Sequence, residues 1–253
     1  MNPAAFAPQN QTPAIIPLPA LQDNYIWLLR CGDECVVLDP GVAAPVRDYL
    51  RQHGLRLAAI LLTHHHHDHT GGVQALRAEY CAPVFAPEGA PDGHDWQCVR
   101  EGAQLALCGG ALHVTAWEIP GHTATHIGWL AQVRGLDAPY FFCGDTLFCA
   151  GCGRLLGGTA AQLHQSLARI MTLPADTHLC PAHEYTLGNL AFAQHVEPDN
   201  PARDAFVREA RALRAQGLPT LPTTVAREAA INPFVRAPSL AQFAELRAQK
   251  DQF

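Results

Sequence analysis

Short apolar runs that end in turns fill the first two thirds of the chain. The clearest of them cover residues 25–29, 35–41, 58–64, 112–122 and 139–145. Runs of this length, bounded by turn residues, predict β-strands that end in loops. Two intervening segments, 44–54 and 159–171, instead have apolar residues at helical spacing, and Gly54 is placed to end the first helix. Strands with helices outside them predict an α/β layered domain.

The last part of the chain changes from strand patterns to helical ones. Pro201 suits the first turn of a helix, and Phe206 and Ala210 fall on one face of it. We therefore expect a larger α/β domain over residues 1–183 and a smaller helical domain over residues 184–253.

The composition is typical of a globular protein. Hydrophobic residues make up 48% of the 253 residues and charged residues 16%. No apolar stretch approaches the roughly 20 residues of a membrane span, so we expect no membrane insertion. A net charge of −6 without a basic run argues against a nucleic-acid partner. The first dozen residues have neither a basic start nor an apolar core, so we expect a loose terminus without a secretory signal and a cytoplasmic protein.

Nine cysteines are scattered along the chain, and this odd number does not indicate a disulfide framework. Cys149 and Cys152 form a C-x-x-C motif, but no second pair lies at zinc-ribbon spacing. We therefore predict that these two residues and Cys143 are reduced and structural, with no catalytic role.

Residues 63–72, THHHHDHTGG, place five histidines and an aspartate directly after a predicted strand. On an extended segment alternate side chains point the same way, so His64 and His66 can converge on one point. Asp68 and His69 follow where the chain turns into a helix, which can aim them at a second point. Neutral imidazoles with carboxylate oxygens suit zinc, iron or manganese. The spacing therefore predicts a metal site.

Three further candidate ligands occur at similar places. His122, Asp145 and His183 each follow an apolar run. A single histidine is more often a packed or exposed residue than a ligand. Together with the run at 64–69, however, these residues make a set of seven ligands, which is enough for two sites.

Several motifs resemble those of glyoxalase II, the hydroxyacylglutathione hydrolase branch of the metallo-β-lactamase superfamily. They are THHHHDHTGG, PGHT, FCGDTLFCAGCG, AHEYTLGNLAFAQHVEP, INPFVR and the terminal KDQF. The resemblance covers nearly the whole chain, and the later motifs are specific to this branch. It implies an αββα metallo-β-lactamase sandwich followed by a smaller helical substrate-binding domain.

The resemblance also implies roles for the seven ligands. One group of residues would bind the first metal, and these are His64, His66 and His122. A second group would bind the other metal, and these are Asp68, His69 and His183. Asp145 would bridge the two ions. We expect two divalent ions in each chain, zinc first of all, with iron or manganese as alternatives.

The activity implied by the resemblance is hydrolysis of S-D-lactoylglutathione to D-lactate and glutathione. A hydroxide that bridges the two ions would attack the thioester carbonyl, with Asp68 and Asp145 as the catalytic carboxylates. The residues that match the family's glutathione contacts are Arg154, Tyr185, Arg247 and Lys250. Leu156 departs from the family, because many relatives have an aromatic residue there. The expected partner is this small-molecule substrate alone, and the expected state is a monomer.

Two other functions compete with this interpretation. One is a persulfide dioxygenase of the same superfamily, which uses a single iron and would leave Asp68, His69 and His183 unused. The other is a non-enzymatic metal-binding protein, for which the histidine run alone would suffice.

Residues around the predicted site have supporting roles in this interpretation. We expect Asp39 to orient a metal ligand and His126 to support the loop of His122. We predict that the remaining histidines away from the run are structural, and these are His53, His94, His113, His164, His178 and His195.

Overall fold

The computed structural model describes residues 12–89 and 95–253. The predicted loose terminus, up to residue 11, and the predicted structural residue His94 lie outside the described residues.

Strands and helices alternate through the first two thirds of the chain. The strands are β1 (Ala14–Ala20), β2 (Asn24–Cys31), β3 (Glu34–Leu38), β4 (Arg56–Leu61), β5 (Val84–Pro87), β6 (Gln97–Val99), β7 (Gln104–Leu107), β8 (Leu112–Glu118), β9 (Ile127–Val133), β10 (Tyr140–Gly144), β11 (Leu147–Phe148), β12 (Gly151–Cys152), β13 (His178–Pro181) and β14 (Thr223–Thr224). The helices are α1 (Ala44–His53), α2 (His67–Thr70), α3 (Val73–Tyr80), α4 (Ala160–Ile170), α5 (Thr186–Val196), α6 (Pro201–Ala215), α7 (Val225–Ile231) and α8 (Leu240–Gln252).

The strands form two mixed sheets and one small hairpin. The first sheet has the order β1-β2-β3-β4-β5-β6, and the second has the order β14-β13-β10-β9-β8-β7. In the first sheet β3, β4, β5 and β6 run parallel, and in the second only β10 and β13 do. The hairpin pairs β11 with β12.

The core has three apolar layers. Between the sheets, Trp27 of the first packs against Phe142 of the second, with ring centroids 6.0 Å apart. On the outer side of the first sheet, Ile26 packs in one cluster with Leu50 of α1. On the outer side of the second sheet, Phe141 shares a cluster with residues of α4 and α8. These layers make the predicted αββα sandwich, which is therefore confirmed.

Local sequence signals account for most element ends. Gly54 has a left-handed φ of 63° and ends α1, as predicted, and Pro201 begins α6. The predicted strand over 35–41 is shorter than expected, because Asp39 takes a φ of 51°, which an extended strand does not allow. The expectation that strands stop at residue 184 is wrong in one respect, since β14 adds a short edge to β13. Two residues are too few to give a periodic pattern.

The described part of the chain contains no helix that is both long and apolar enough to cross a bilayer.

Candidate metal centre

All seven candidate ligands lie where strands end, at one edge of the sandwich. The run that begins at His64 follows β4, His122 follows β8, Asp145 follows β10, and His183 follows β13. Because these strands carry the chain to a common edge, residues more than a hundred positions apart become neighbours. The sheet topology therefore assembles the site.

The histidine run changes conformation within six residues. His66 is extended, with ψ of 147°, and the single-turn helix α2 begins directly after it. His64 is buried, whereas His65 and His67 are exposed, as the alternation of an extended segment predicts. The helical turn then directs Asp68 and His69 to the same side as His64.

The first ligand group brings together three ring nitrogens. His66 Nδ1 lies 3.0 Å from His64 Nε2 and 3.1 Å from His122 Nε2. Zinc bonds of about 2.0–2.1 Å in tetrahedral geometry place ligand atoms about 3.3 Å apart. This group therefore has the spacing of one metal site.

The second ligand group contains a carboxylate and two imidazoles. Asp68 Oδ2 lies 3.4 Å from His69 Nε2 and 3.4 Å from His183 Nε2. The same tetrahedral spacing applies here, and the three ligand atoms lie within 4.8 Å of one another.

Asp145 lies between the two groups. Its Oδ1 is 3.4 Å from both His69 Nε2 and His183 Nε2, and its Oδ2 is 3.5 Å from His122 Nε2. One oxygen thus faces each group, which is the arrangement of a bridging carboxylate.

Polar atoms without partners show that a cation fits this site. Within residues 12–89 and 95–253, the buried atoms His69 Nε2 and Asp145 Oδ1 have no hydrogen-bond partner. A buried polar atom without a partner is costly, and a bound cation would satisfy both atoms at once. The donor set of imidazole and carboxylate suits a divalent transition metal.

The charge states also suit metal binding. Burial lowers the pKa of His64 and of His122, which keeps these imidazoles neutral and able to bind a metal at neutral pH. Burial alone would also lower the pKa of His183, but the carboxylates of Asp145 and Asp68 raise it to about 10. The second group thus strongly attracts positive charge.

His64 and His122 each have an uncharged partner at the ring nitrogen that faces away from the site. His122 Nδ1 donates to the backbone oxygen of Arg154 at 2.8 Å, and His64 Nδ1 lies 3.0 Å from the Thr63 hydroxyl. These contacts fix the orientation of both rings and leave Nε2 for the metal.

Carboxylates occupy the corresponding positions behind the second group. His183 Nδ1 donates to Asp23 Oδ1 at 2.7 Å. His69 Nδ1 lies 3.1 Å from Asp39 Oδ2, in a contact too bent for an ordinary hydrogen bond. Sequence reasoning anticipated the role of Asp39 but missed Asp23, which lies 160 positions from its histidine and belongs to no recognisable motif.

His126 and Gly153 support Asp145. His126 is buried, its ring stacks on His64 at 4.7 Å, and its Nε2 accepts from the backbone nitrogen of Asp145 at 3.2 Å. A Cβ at position 153 would lie 2.0 Å from the backbone oxygen of Asp145, so only glycine fits there. The His126 ring also lies edge-on to the His122 ring, with centroids 6.1 Å apart, and its side-chain hydrogen bonds are with Asp145 and Thr146.

A cavity of about 720 Å³ opens over the ligands. Arg154, Tyr185, Arg247 and Lys250 all line it, together with Leu156. The Tyr185 ring stacks on His183 with centroids 4.7 Å apart. The cavity therefore contains both the ligand groups and the predicted glutathione contacts.

The cationic side chains of this cavity differ in burial. Arg247 is buried, and its Nη1 donates to the backbone oxygen of Cys152 at 2.9 Å. Arg154 is exposed, and Asp251 Oδ1 lies 3.0 Å from Arg247 Nη2 and 3.6 Å from Arg154 Nε. Lys250 Nζ donates to the backbone oxygen of Gly188 at 3.3 Å. Arg247 thus also has a structural role that the sequence did not indicate.

Arg214 is a cavity residue that the sequence analysis did not select. Its Nη1 lies 3.8 Å from Glu184 Oε2, next to His183 in the chain. It lies within the amphipathic helix α6, and nothing in a regular helical pattern distinguishes a cavity residue from an exposed one.

The cysteines near Asp145 are not members of the candidate ligand groups. Cys143, Cys149 and Cys152 are free and buried, and burial raises the pKa of each thiol. Among the residues that the structure describes, the groups able to hold a metal contain only histidine and aspartate. A redox or zinc role for the C-x-x-C motif therefore has no geometric support.

Comparisons with known proteins agree with this geometry. Residues 184–253 match the family "Hydroxyacylglutathione hydrolase C-terminus", and residues 21–92 match the "Metallo-beta-lactamase superfamily". The hydroxyacylglutathione hydrolase of Chromohalobacter salexigens is 49% identical, over 94% of this chain and 99% of its own length. That of Cupriavidus metallidurans is 47% identical, over 92% of this chain and 90% of its own.

Solved structures show the same fold. ETHE1 from Myxococcus xanthus has a TM-score of 0.68 and 25% identity, over 93% of this chain and 89% of its own. A metallo-beta-lactamase from Staphylococcus aureus has a TM-score of 0.69 and 17% identity, over 96% of this chain and 72% of its own. Because the first two relatives are nearly half identical over almost the whole chain, this protein belongs to the hydroxyacylglutathione hydrolase family of the metallo-β-lactamase superfamily.

Proposed function

We propose that this protein hydrolyses S-D-lactoylglutathione to D-lactate and glutathione. The observation that carries the proposal is the pair of ligand groups sharing Asp145 at the base of a cavity lined by cationic side chains. Its relatives named hydroxyacylglutathione hydrolase supply the substrate class.

The proposed cofactor is a pair of divalent ions, and zinc is the first candidate. When bound, they supply an activated water molecule as the nucleophile and stabilise negative charge that develops on the thioester carbonyl oxygen. The protein's own contribution is to hold the ligands in fixed orientations. Asp145 spans both groups, and His126 keeps its backbone in place.

The cationic residues of the cavity are the proposed glutathione contacts. Glutathione carries carboxylates, and Arg154, Arg247 and Lys250 supply local positive charge on a protein with a net charge of −6. Tyr185 adds a hydroxyl and a ring beside His183. Leu156 is 53% exposed and can offer only an apolar contact.

We also propose the domain division at residues 183 and 184. The seven ligands and Arg154 precede it, whereas Tyr185, Arg247 and Lys250 follow it. The site would then lie at the junction, with the metal ligands on one side and most of the proposed substrate contacts on the other.

Because one chain supplies every cavity residue, we propose a monomer. Nine unpaired thiols suit the reducing cytoplasm.

The two competing functions fit the site less well. A persulfide dioxygenase would use one metal, yet Asp68, His69 and His183 form a complete second group. A non-enzymatic metal-binding protein would not need a cavity of about 720 Å³ over its ligands.

One experiment separates these functions. Zinc-loaded protein is analysed for bound metal and assayed with lactoylglutathione, and iron-loaded protein is assayed for oxygen uptake with glutathione persulfide. We expect two ions and thioester hydrolysis. One ion at saturation, with oxygen uptake as the main activity, would favour the dioxygenase instead.

Bound metal and activity are expected to fall together as the pH is lowered from about 7 to 5. A proton competes with the metal for each imidazole nitrogen, so metal binding weakens as the pH falls. In the second group, the carboxylates that raise the pKa of His183 favour that proton further. Protonation therefore favours the metal-free state at low pH.

Initial rates and bound zinc, measured across this pH range, test the expectation. Added zinc should restore part of the rate at the acidic end. A rate that stays constant down to about pH 5 would argue against histidine ligands.

Lys250→Ala is expected to raise KM for lactoylglutathione about tenfold, roughly 1.4 kcal/mol, and to leave bound metal unchanged. The lysine lines the cavity, and within the protein it contacts the Gly188 backbone oxygen and the rings of Phe192 and Phe253. Steady-state kinetics with lactoylglutathione and with a thioester lacking the glutathione carboxylates give the measurement.

The effect should disappear with the second substrate. Arg236→Ala is a control, since Arg236 pairs with Glu197 outside the cavity. An unchanged KM for lactoylglutathione in Lys250→Ala would make Lys250 an ordinary surface residue.

A further inference from the structure

We propose that the two ligand groups have unequal affinity, and that the group of Asp68, His69 and His183 holds the first metal ion. The cause is the pair of carboxylates, Asp23 and Asp39, behind its histidines. The inference rests on the metal centre of the proposed function but is independent of the substrate.

The first ligand group is uncharged and has uncharged partners. Its three ligands are imidazoles. Behind His64 lies the Thr63 hydroxyl, and behind His122 lies the backbone oxygen of Arg154. These partners fix the ring orientations but bring no negative charge to the metal.

In the second ligand group, negative charge lies both on a ligand and on the residues behind the ligands. Asp68 is itself a ligand, and Asn24 Nδ2 donates to its Oδ2 at 3.1 Å, which holds it in place. Asp23 accepts from His183, and Asp39 contacts His69. A carboxylate behind an imidazole raises the basicity of the nitrogen that faces the metal, and opposite charge adds to the attraction. Asp145 contributes to both groups, so it does not cancel the difference.

Asp23 and Asp39 are not equivalent positioning residues. Asp39 also accepts from the Thr63 backbone nitrogen at 2.8 Å and from its hydroxyl at 2.7 Å, and Thr63 in turn contacts His64. Replacing Asp39 would therefore disturb the contacts behind both groups. Within the described residues, the contact of Asp23 with a candidate ligand is to His183, which is buried. Replacing Asp23 thus changes the second group alone.

Unequal affinity has a functional consequence. When metal is scarce, the second group would be filled and the first would be empty. Activity that needs both ions would then depend on the weaker group, and so on metal supply. The weaker group is the one that contains His66.

The test follows metal loss from the zinc-loaded full chain. The protein is equilibrated against a series of zinc buffers, and bound zinc is measured by elemental analysis. We expect zinc to bind in two steps, a tighter and a weaker one, whose midpoints differ at least tenfold in free zinc concentration. His66→Ala should keep the tighter step, and His183→Ala should lose it.

The decisive variant is Asp23→Asn, which lies outside the ligand set and keeps a hydrogen-bond acceptor. It should weaken the tighter step about 10- to 100-fold and leave the weaker step unchanged. Asp95→Asn makes the same chemical change at an exposed ion pair with Arg77, away from every ligand histidine, and it should leave both steps unchanged. Circular dichroism checks the fold of each variant.

Three results would overturn the inference. They are a single step that releases both ions, a tighter step that survives in His183→Ala but not in His66→Ala, and an unchanged tighter step in Asp23→Asn. These results leave the proposed function intact if two ions still bind and lactoylglutathione is hydrolysed. Fewer than two ions at saturating zinc would contradict the dinuclear centre itself.

Discussion

Asp145→Ala is expected to remove metal from both ligand groups and to lower kcat/KM for lactoylglutathione by about a thousandfold, equivalent to about 4 kcal/mol. Asp145 is the residue whose two oxygens face different groups, at 3.4 Å from His183 Nε2 and 3.5 Å from His122 Nε2. Without it, both groups would lose a proposed ligand, and two bound ions would lose a negative charge that reduces their mutual repulsion. Elemental analysis and steady-state kinetics give the two measurements.

Cys152→Ala is the control for this variant. Cys152 is a buried thiol from the same segment of chain, and it contacts Arg247 rather than a metal ligand. It should therefore keep both ions. If Cys152→Ala lost metal while Asp145→Ala retained two ions, the C-x-x-C motif would be the metal site and the ligand set proposed here would be wrong.

The candidate metal ligands could be selected from sequence because the signals that mark them are local. The alternation of an extended strand brings His64 and His66 to one side, and a helical turn adds Asp68 and His69. The other candidate ligands could be selected because each follows a predicted strand, and the ends of neighbouring strands in a layered fold meet at one edge. Such signals extend over only a few residues, so one sequence contains them in full.

The partners of those ligands could not be predicted in the same way. Asp23 meets His183 across 160 positions, and the pairing depends on how β2 and β13 approach each other. The role of Asp39 was easier to predict, because Asp39 directly follows β3, and β3 pairs with β4, which leads into the histidine run. Contacts that depend on the packing of whole sheets therefore escape a single sequence.

Secondary structure follows the same division. For long amphipathic segments such as α1 and α4, the predicted and observed ends agree to within one residue. The hairpin of β11 and β12 was missed, because each strand has two residues. Asn232, from the C-terminal part of the chain, donates to the backbone oxygens of Phe148 and Gly151 and so holds this hairpin. Long-range hydrogen bonds, rather than periodicity, account for its formation.

The two parts of the chain are coupled by this arrangement. Glu228, from α7, is buried and accepts from the backbone nitrogen of Ala150, which has a φ of 56°. The hairpin that links Asp145 to Arg154 is thus held by the same C-terminal region that supplies most cavity cations. The proposed substrate contacts and the candidate metal ligands are therefore positioned by one set of interactions.

Arg247→Met is expected to lower kcat/KM for lactoylglutathione about a hundredfold and the free energy of unfolding by about 3 kcal/mol, because charge-assisted hydrogen bonds contribute about 1.5–3 kcal/mol each. The variant leaves the backbone oxygens of Cys152 and Gly153 without their guanidinium donor. Gly153 packs against the backbone of Asp145, so a loosened segment disturbs the metal centre as well as the cavity.

Arg247→Lys separates the charge of Arg247 from its geometry. Lysine keeps the positive charge but cannot donate from one planar fork to Cys152 oxygen and Asp251 together. We therefore expect it to recover less than about a tenth of the lost kcat/KM and little of the lost stability. Chemical denaturation and steady-state kinetics on both variants give the measurement. If Arg247→Lys matched the wild type in both, only the charge at this position would matter, and the fork would have no part in holding the segment that supports Asp145.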